Sequence, residues 1–600
     1  MTEALPMILA LLWPLLVSLR NPLRMLMEHG ALGRPGHRPE LLDRVWASAP
    51  LPALALALWP GETALLMEGW LLGGQWHLDE ARRPWLLFTS LLWIAAGVYA
   101  RGYLIAEQQA AEAGDVDAFR RLLGLALLWP LTLTGNLLLI LAEDIPSFYL
   151  GFTVMTFAAY GLVVHAGHHD AHLGGRAYLA MALFGEALIL GGLLWSAGTA
   201  DARTLSGLRE GIAEAEQGMW MATLLWLGFG VKAGVAGLHV WLPLAHPVAP
   251  TPASAVLSGV MIKAGLIGWL STLPLGVPHA GLEPLGRVVL GMGLAGALGA
   301  TLLGIVQRHP KAVLAYSSVS QMGMITTLVG IGLLEPALWP ALSVAVVLFA
   351  AHHGMTKGAL FLGVGISEHP PRLPTWLLWS LLSLPALSLT GALASGLAAK
   401  WSMKSVLYDG GHGLLVTWLS LAAVGTTLLM ARALWRQWCE RGHHTIPWRA
   451  PMPLSWLFVV LGAAGVPLWL PLAGMGATWP PLAELPGLLW PTLVGLVLAC
   501  LAVAGAATVR GKWRVKRRLL PGDLWWLYAA LSRRGLAMLA KGSRNMESRA
   551  SRLRARLVEK EERVVARLGD VTRYERGFRR LAVPLMIGVA VLLLVGFWLE

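Results

Sequence analysis

Runs of about twenty apolar residues recur along the chain with short polar breaks between them, the length an α-helix needs to cross roughly 30 Å of hydrocarbon. They fall at 4–20, 47–68, 85–105, 119–141, 146–165, 176–197, 219–242, 253–273, 287–306, 312–334, 338–365, 375–405, 413–433, 452–474, 486–508 and 581–599. The pattern predicts an all-α integral membrane protein of sixteen crossing helices, with no stretch left for a separate soluble domain. The first run begins at Ala4, behind only Met1, Thr2 and Glu3. Without a basic leader or a small-residue cleavage site, it is expected to stay as a helix. Between the last two runs the pattern changes: Leu553, Leu557, Val564, Leu568, Val571, Tyr574 and Phe578 recur at near-helical intervals among Arg and Glu. The stretch from about Asp523 to Arg580, within the basic segment 511–580, thus reads as a long amphipathic lateral helix, roughly 80 Å if Gly535, Gly542 and Gly569 leave it unbroken. Such a helix would lie along the cytoplasmic surface, against neighbouring subunits or anionic headgroups. A solvated basic linker is the alternative.

Composition agrees with the bilayer as solvent. The 600 residues are 56% hydrophobic and 14% charged, where soluble proteins carry about a quarter charged. The net charge of +13 is local, because residues 510–580 hold 21 Lys/Arg against 7 Asp/Glu and leave about −1 for the rest. It therefore points to a membrane face and not to nucleic acid, and no phosphate loop of the GxxxxGK[ST] kind occurs. With the N-terminus outside, the arginines at 20, 24, 34, 38 and 44, the pair Arg308 and Lys311, the trio Arg432, Arg436 and Arg441, and the run 510–518 all fall on the cytoplasmic side of a bacterial-type inner membrane. The two cysteines, Cys439 and Cys500, are too few and too far apart for a disulfide framework, a metal site or an iron–sulfur centre.

A lysine at the bilayer centre costs about 3 kcal/mol on insertion scales, so lysines inside the runs ask for a partner or a pathway. Lys232, Lys263, Lys357 and Lys400 all sit inside runs, and Glu186 is the one acid in its neighbourhood. Burial disfavours a lysine's charged form and a nearby carboxylate restores it, so a moving carboxylate or a change in wetting can load and unload a proton. Lys357 and Lys400 could instead snorkel to an interface, and Lys404 reads as a headgroup contact. His352 and His353, one turn from Lys357, have relay chemistry near neutral pH, with simple packing as the equal alternative. His239 and His246 could cap backbone carbonyls. The loop HAGHHDAH, with His165, His168, His169, Asp170 and His172, is metal-capable but reads as a solvated cluster. Two runs carry helix breakers: Pro243, Pro247, Pro250 and Pro252 follow Lys232, and Pro385 with Gly391 precedes Lys400. Broken helices beside buried charges build ion sites in transporters made of inverted repeats. The spacing of the breaks fits two five-helix units at 119–273 and 287–433, preceded by three helices in 1–118 and followed by two in 434–510, the basic segment 511–580 and a last helix in 581–600.

Three stretches carry a family resemblance: KAGVAGLHVWLPLAHPVAPTPASAVLSGVMIKAG from Lys232, HPKAVLAYSSVSQMG from His309, and HHGMTKGALFLGVG from His352. They resemble the antiporter-like membrane subunits of respiratory complex I, of hydrogenase-4-type membrane-bound hydrogenases and of multi-subunit sodium/proton antiporters. The resemblance covers roughly residues 70–440 and implies proton or sodium translocation as one subunit of a complex I-like NADH/quinone oxidoreductase or hydrogenase. A cation/proton antiporter without redox partners, or a non-pumping structural subunit, are the alternatives. It assigns Lys232 to the first half-channel, Lys263 to the next helix, His352, His353 and Lys357 to a connecting axis, and Lys400 to the second half-channel. It also likens the amphipathic segment to the family's lateral helix. Iron–sulfur, flavin, quinone or nickel–iron centres are then expected in partner subunits and no cofactor in this chain. One departure matters: where the family usually has a glutamate in a context like FWELMTL, this chain reads GFTVMTF and places Thr153. Glu186 on the following helix is the candidate substitute.

Overall fold

The computed structural model describes residues 4–27, 40–70, 73–279, 281–476 and 478–508, with Tyr528 and Ala530. The basic segment 511–580 and the last run lie, those two residues apart, outside the described residues. Helix α1 (Leu5–Met27) is followed by two short helices, α2 (Arg44–Ala47) and α3 (Leu51–Ala57), where a single crossing helix over 47–68 is expected. The physical reason is local punctuation: Asp43 caps α2 through the Trp46 N–H at 2.8 Å, and Pro60 with Gly61 ends the helical run. The remaining apolar residues then alternate and form a strand, β1 (Thr63–Met67), paired antiparallel with β2 (Gly74–Leu78). This hairpin is the one sheet among the described residues of an otherwise helical fold.

Helix α4 (Arg83–Tyr103) runs beside this broken segment. Arg83 at its start donates to the Ala57, Trp59 and Gly61 carbonyls, while Arg101 near its end donates to the Leu42 carbonyl at 2.7 Å. The chain from Leu42 to Trp59 therefore covers the length of α4 between those arginines, about 27 Å at helical rise.

The next helices are α5 (Ile105–Glu112), α6 (Val116–Leu141), α7 (Ile145–Val163), α8 (His169–Ala200) and α9 (Leu205–Glu214). A broken pair, α10 (Gly218–Ala233) and α11 (Trp241–Val248), leads to α12 (Thr251–Val256) and α13 (Ile262–Thr272), with a π-helical turn at Leu257–Met261 between the last two. Then follow α14 (Glu283–Gly304), α15 (Pro310–Leu334) and α16 (Trp339–Glu368), a second broken pair, α17 (Thr375–Thr390) and α18 (Ala394–Asp409), and α19 (Gly413–Cys439). Helices α20 (Pro451–Ala464), α21 (Val466–Trp469) and α22 (Leu485–Thr508) complete the set. Among the described residues, twelve helical segments are long and apolar enough to cross a membrane, or thirteen if the pair bent by 73° at Gly465 counts as one. The chain is a multi-pass integral membrane protein.

The breaks fall beside the predicted prolines and not at them. Pro243 and Pro247 lie inside α11, Pro250 caps α12 and Pro385 is inside α17. Gly234 and Gly391 end α10 and α17 in the left-handed conformation, with φ of 76° and 92°. A left-handed C-terminal residue ends a helix at little cost only when it is glycine. Ala394 opens α18 at φ 51°, a strained start for a non-glycine residue.

Polar contacts between loops sort onto two rims. On one rim Arg20 pairs with Asp43, His165 with Glu107, Lys311 donates to the Ala249 carbonyl and Arg432 to the Gln307 carbonyl. On the opposite rim the Glu143 N–H donates to the Gln75 carbonyl, Arg82 pairs with Glu143, Arg209 reaches the Leu270 carbonyl and His412 meets Glu335.

Candidate ion-translocation path

Lys232, Lys263, Lys357 and Lys400 are all buried, at no more than 5% exposure. Neither Lys357 nor Lys400 snorkels. Their positions follow from how closely the helices carrying them approach their neighbours.

Helices α8 and α10 touch backbone to backbone at Gly185 and Gly228. A Cβ on Gly228 would sit 2.9 Å from the Gly185 carbonyl oxygen and 2.7 Å from the Ile189 side chain. This contact brings Glu186, the residue after Gly185, beside Lys232. The Lys232 Nζ donates to the Tyr178 hydroxyl at 2.9 Å and to Thr156 Oγ1 at 3.2 Å. Tyr178 spends its own proton on the Thr156 carbonyl at 2.8 Å, so its oxygen is free to accept from Lys232. Glu186 Oε2 accepts from Thr153 Oγ1 at 2.9 Å. Thr153, at the position where the family usually has its acid, thus holds the acid that sits one helix further on. Glu186, Lys232, Tyr178 and Thr156 line one cavity of about 20 Å³, room for a single water with several polar partners. The carboxylate and ammonium interact through space across it.

The π-turn sets the second lysine. A wide turn adds a residue and leaves the local backbone bonds shifted, so that the Ile262 N–H reaches back to the Leu257 carbonyl. Lys263, the next residue, folds back and donates to the Ser258 carbonyl at 2.9 Å. The same turn packs against α16 through Gly259 and Gly354, where added Cβ atoms would come within 2.9 Å of the facing carbonyl oxygens. Helix α15 bridges this lysine to the third. Ser258 and Ser318 share a hydroxyl bond at 2.8 Å, Ser318 donates to the Leu314 carbonyl at 3.2 Å, and Lys357 donates to that same carbonyl at 2.7 Å and to Ser317.

His353 interacts through space with Lys263, Lys357 and Lys400, and its two ring nitrogens have no protein hydrogen-bond partner. His352 Nδ1 meets Ser395 Oγ of α18 at 2.8 Å and Thr356 Oγ1 at 3.3 Å, leaving Nε2 without one. Lys400, five residues after Ser395, donates to Gln321 Oε1 at 3.3 Å and contacts Met324 Sδ at 2.9 Å above the Phe349 ring. Gly391 packs under this side chain, where a Cβ would lie 2.6 Å from Lys400 Cγ. Lys404 turns towards the Gly487 carbonyl at 3.4 Å.

Residues 142–374 match the family described as NADH:quinone oxidoreductase/Mrp antiporter, transmembrane. The antiporter-like segment contains Glu186, Lys232, Lys263, His352, His353 and Lys357, and Lys400 lies beyond it. Hydrogenase-4 component B of Escherichia coli (strain K12) is 31% identical over 302 residues, which are 48% of this chain and 42% of that protein. The chain thus aligns with less than half of that relative's own length. A chain of the solved Mrp complex from Dietzia sp. DQ12-45-1b superposes with a TM-score of 0.70 at 18% identity, over 96% of this chain and 63% of that one. A chain of the membrane-bound sulfane sulfur reductase, an archaeal respiratory membrane complex, does so with a TM-score of 0.63 at 18% identity, over 82% and 98%. At that identity the superpositions establish an antiporter-like fold.

Several residues of the path are silent in the sequence. Tyr178 is a single polar residue in an apolar run, without a spacing to mark it, and Gln321 lies unremarked in the quoted stretch from His309. Ser317 and Ser318 lie in the quoted HPKAVLAYSS stretch, whose run of hydroxyls is the signal. Lys311, expected as a rim cation, is buried with its ammonium on the Ala249 carbonyl at 2.9 Å and in electrostatic reach of Glu368. His246 stacks on Phe361 at 4.6 Å and caps no carbonyl, and His239 meets the Tyr316 ring edge-on. In the histidine-rich loop, His165 pairs with Glu107 and His168 caps the Ala171 N–H. Burial would raise the Glu107 carboxyl, and hydrogen bonds from His165 and Arg121 outweigh it and hold the group below its ordinary value. Among the described residues no three His, Cys, Asp or Glu are gathered to hold a metal.

Proposed function

We propose that the chain is the ion-translocating membrane subunit of a larger complex, passing protons from the Glu186 and Lys232 pair through Lys263, Lys357, His353 and His352 to Lys400. The observation that carries this reading is the succession of buried lysines linked by serine hydroxyls, shared carbonyls and unpartnered imidazoles across α10, α13, α15, α16 and α18. A buried ammonium held by neutral hydroxyls gives up its proton when its carboxylate moves away and regains it when the carboxylate returns. Glu186 is placed for that motion, since one of its oxygens has no hydrogen-bond partner. The two rims support an orientation with the arginine-rich rim cytoplasmic. They also support fifteen crossings among the described residues, counting α2 with α3, α10 with α11, α12 with α13, α17 with α18, and α20 with α21 as one crossing each and leaving out the short α5 and α9, which with the last run would make sixteen. The breaks after Gly234 and Gly391 would then be equivalent points of two inverted units.

Redox centres of the iron–sulfur, flavin, quinone or nickel–iron kind would sit in partner subunits, as the likeness to a hydrogenase component and to a respiratory membrane complex suggests. A second reading, a cation/proton antiporter subunit without redox partners, is favoured by the superposition on the Mrp complex over 96% of the chain. Purification of the tagged assembly with an iron assay separates the two readings. Reconstitution of that assembly with Lys232→Ala or Lys400→Ala is expected to abolish ion movement while the partners stay bound. Wild-type transport in both variants would overturn the relay.

A further inference from the structure

On the rim opposite the arginine-rich one, a cleft of about 580 Å³ opens between the hairpin and the ends of α6, α9, α13 and α16. Its mouth is charged but balanced. Arg82 pairs with Asp79 at 2.7 Å and with Glu143, and His77 stands 3.8 Å from Asp79. Arg209 offsets the second acid, reaching the Leu270 carbonyl at 3.5 Å with a buried Nε that has no protein partner. With two arginines against two acids, the mouth has no surplus negative charge to hold a metal cation, and its polar groups suit water. Deeper in, Ser271 and Ser343 line the walls, and the floor includes Ile267 and Val347, 9% and 6% exposed.

The floor lies close to the middle of the relay. Lys263 is one turn below Ile267 on α13. His353 is six residues beyond Val347 on α16, about 9 Å of helical rise. We propose that this cleft is an aqueous vestibule giving the central group of Lys263 and His353 its own access to the outer side, independent of Lys400, with Ile267 and Val347 as the apolar gate. An apolar constriction excludes water by dewetting and opens when it is made polar or wide. The ligand class is water and the proton it carries.

The inference rests on the relay reading but is tested separately. In a Cys439→Ser, Cys500→Ser background, Ser271→Cys and Ser343→Cys in the assembled complex are treated from outside with a charged, membrane-impermeant methanethiosulfonate. Both are expected to label. In proteoliposomes without any driving reaction, Ile267→Ser is expected to raise passive proton leak several-fold, and Val347→Thr, close to isosteric, serves if Ile267→Ser does not assemble. Unlabelled cysteines, or labelled cysteines with wild-type leak in the gate variants, would overturn the vestibule. A failed relay has a different signature: normal transport in Lys232→Ala and Lys400→Ala.

Discussion

The Lys232 ammonium is met by two hydroxyls, Tyr178 and Thr156, while the carboxylate that balances it stands across a one-water cavity on Thr153. On the proposed relay Glu186 is the mobile partner and Thr153 its resting place. Glu186→Gln is expected to lower ion flux by about a hundredfold, the worth of a positioned proton carrier. Thr153→Glu added to Glu186→Gln should restore part of it, because the new carboxylate starts from the same place on α7. Flux in proteoliposomes measures both, and a silent Glu186→Gln would remove Glu186 from the path. Glu186 stands out in the sequence because an isolated acid in an apolar run has no inexpensive explanation. Tyr178 does not, since a tyrosine in such a run is ordinary packing until its hydroxyl is seen between two helices.

Among the elements, glycine contacts and turn types decide where the charges point. Gly228→Ala would drive a Cβ into the α8 backbone, an overpacking cost of about 1–3 kcal/mol. It should lower the melting temperature of the purified assembly and move Lys232 away from Glu186. The cap of α15 gives a pH-dependent prediction. His309 Nδ1 accepts the Lys311 N–H at 3.2 Å, and burial, then the nearby Lys311 and Arg436 charges, push the ring down to about 4. The folded state therefore prefers neutral His309, whereas the unfolded chain takes up a proton at its ordinary 6.5. This contribution is complete above 6.5 and is lost as pH falls towards 4. His309→Asn, which keeps a capping side chain, is expected to flatten the melting profile over that window. Element types were legible wherever a run was long and uniform. The reading of 47–68 as one helix failed because average apolarity hides punctuation, and Pro60–Gly61 marks the end of the helical part. The π-turn before Lys263 leaves no trace in LSGVM, since it depends on how Gly259 meets Gly354 on α16.

At the scale of the whole molecule, the sorting of loop contacts onto two rims supports the proposed alternation of segments from side to side. Cys439, exposed at the end of α19 beside Arg436, is expected to resist an impermeant thiol reagent in intact cells and to react in inverted vesicles. Reaction in intact cells would reverse the orientation.

The guanidinium of Arg83 also bears on how the chain is made. At and past the end of α3 the carbonyls of Ala57, Trp59 and Gly61, at the rim that carries Arg82 and Glu143, accept from Arg83 on α4. During synthesis this segment emerges before its donor does. The Arg83 and Arg101 contacts form only once α4 has been made, so the segment from Leu42 to Gly61 is expected to settle together with α4 instead of helix by helix.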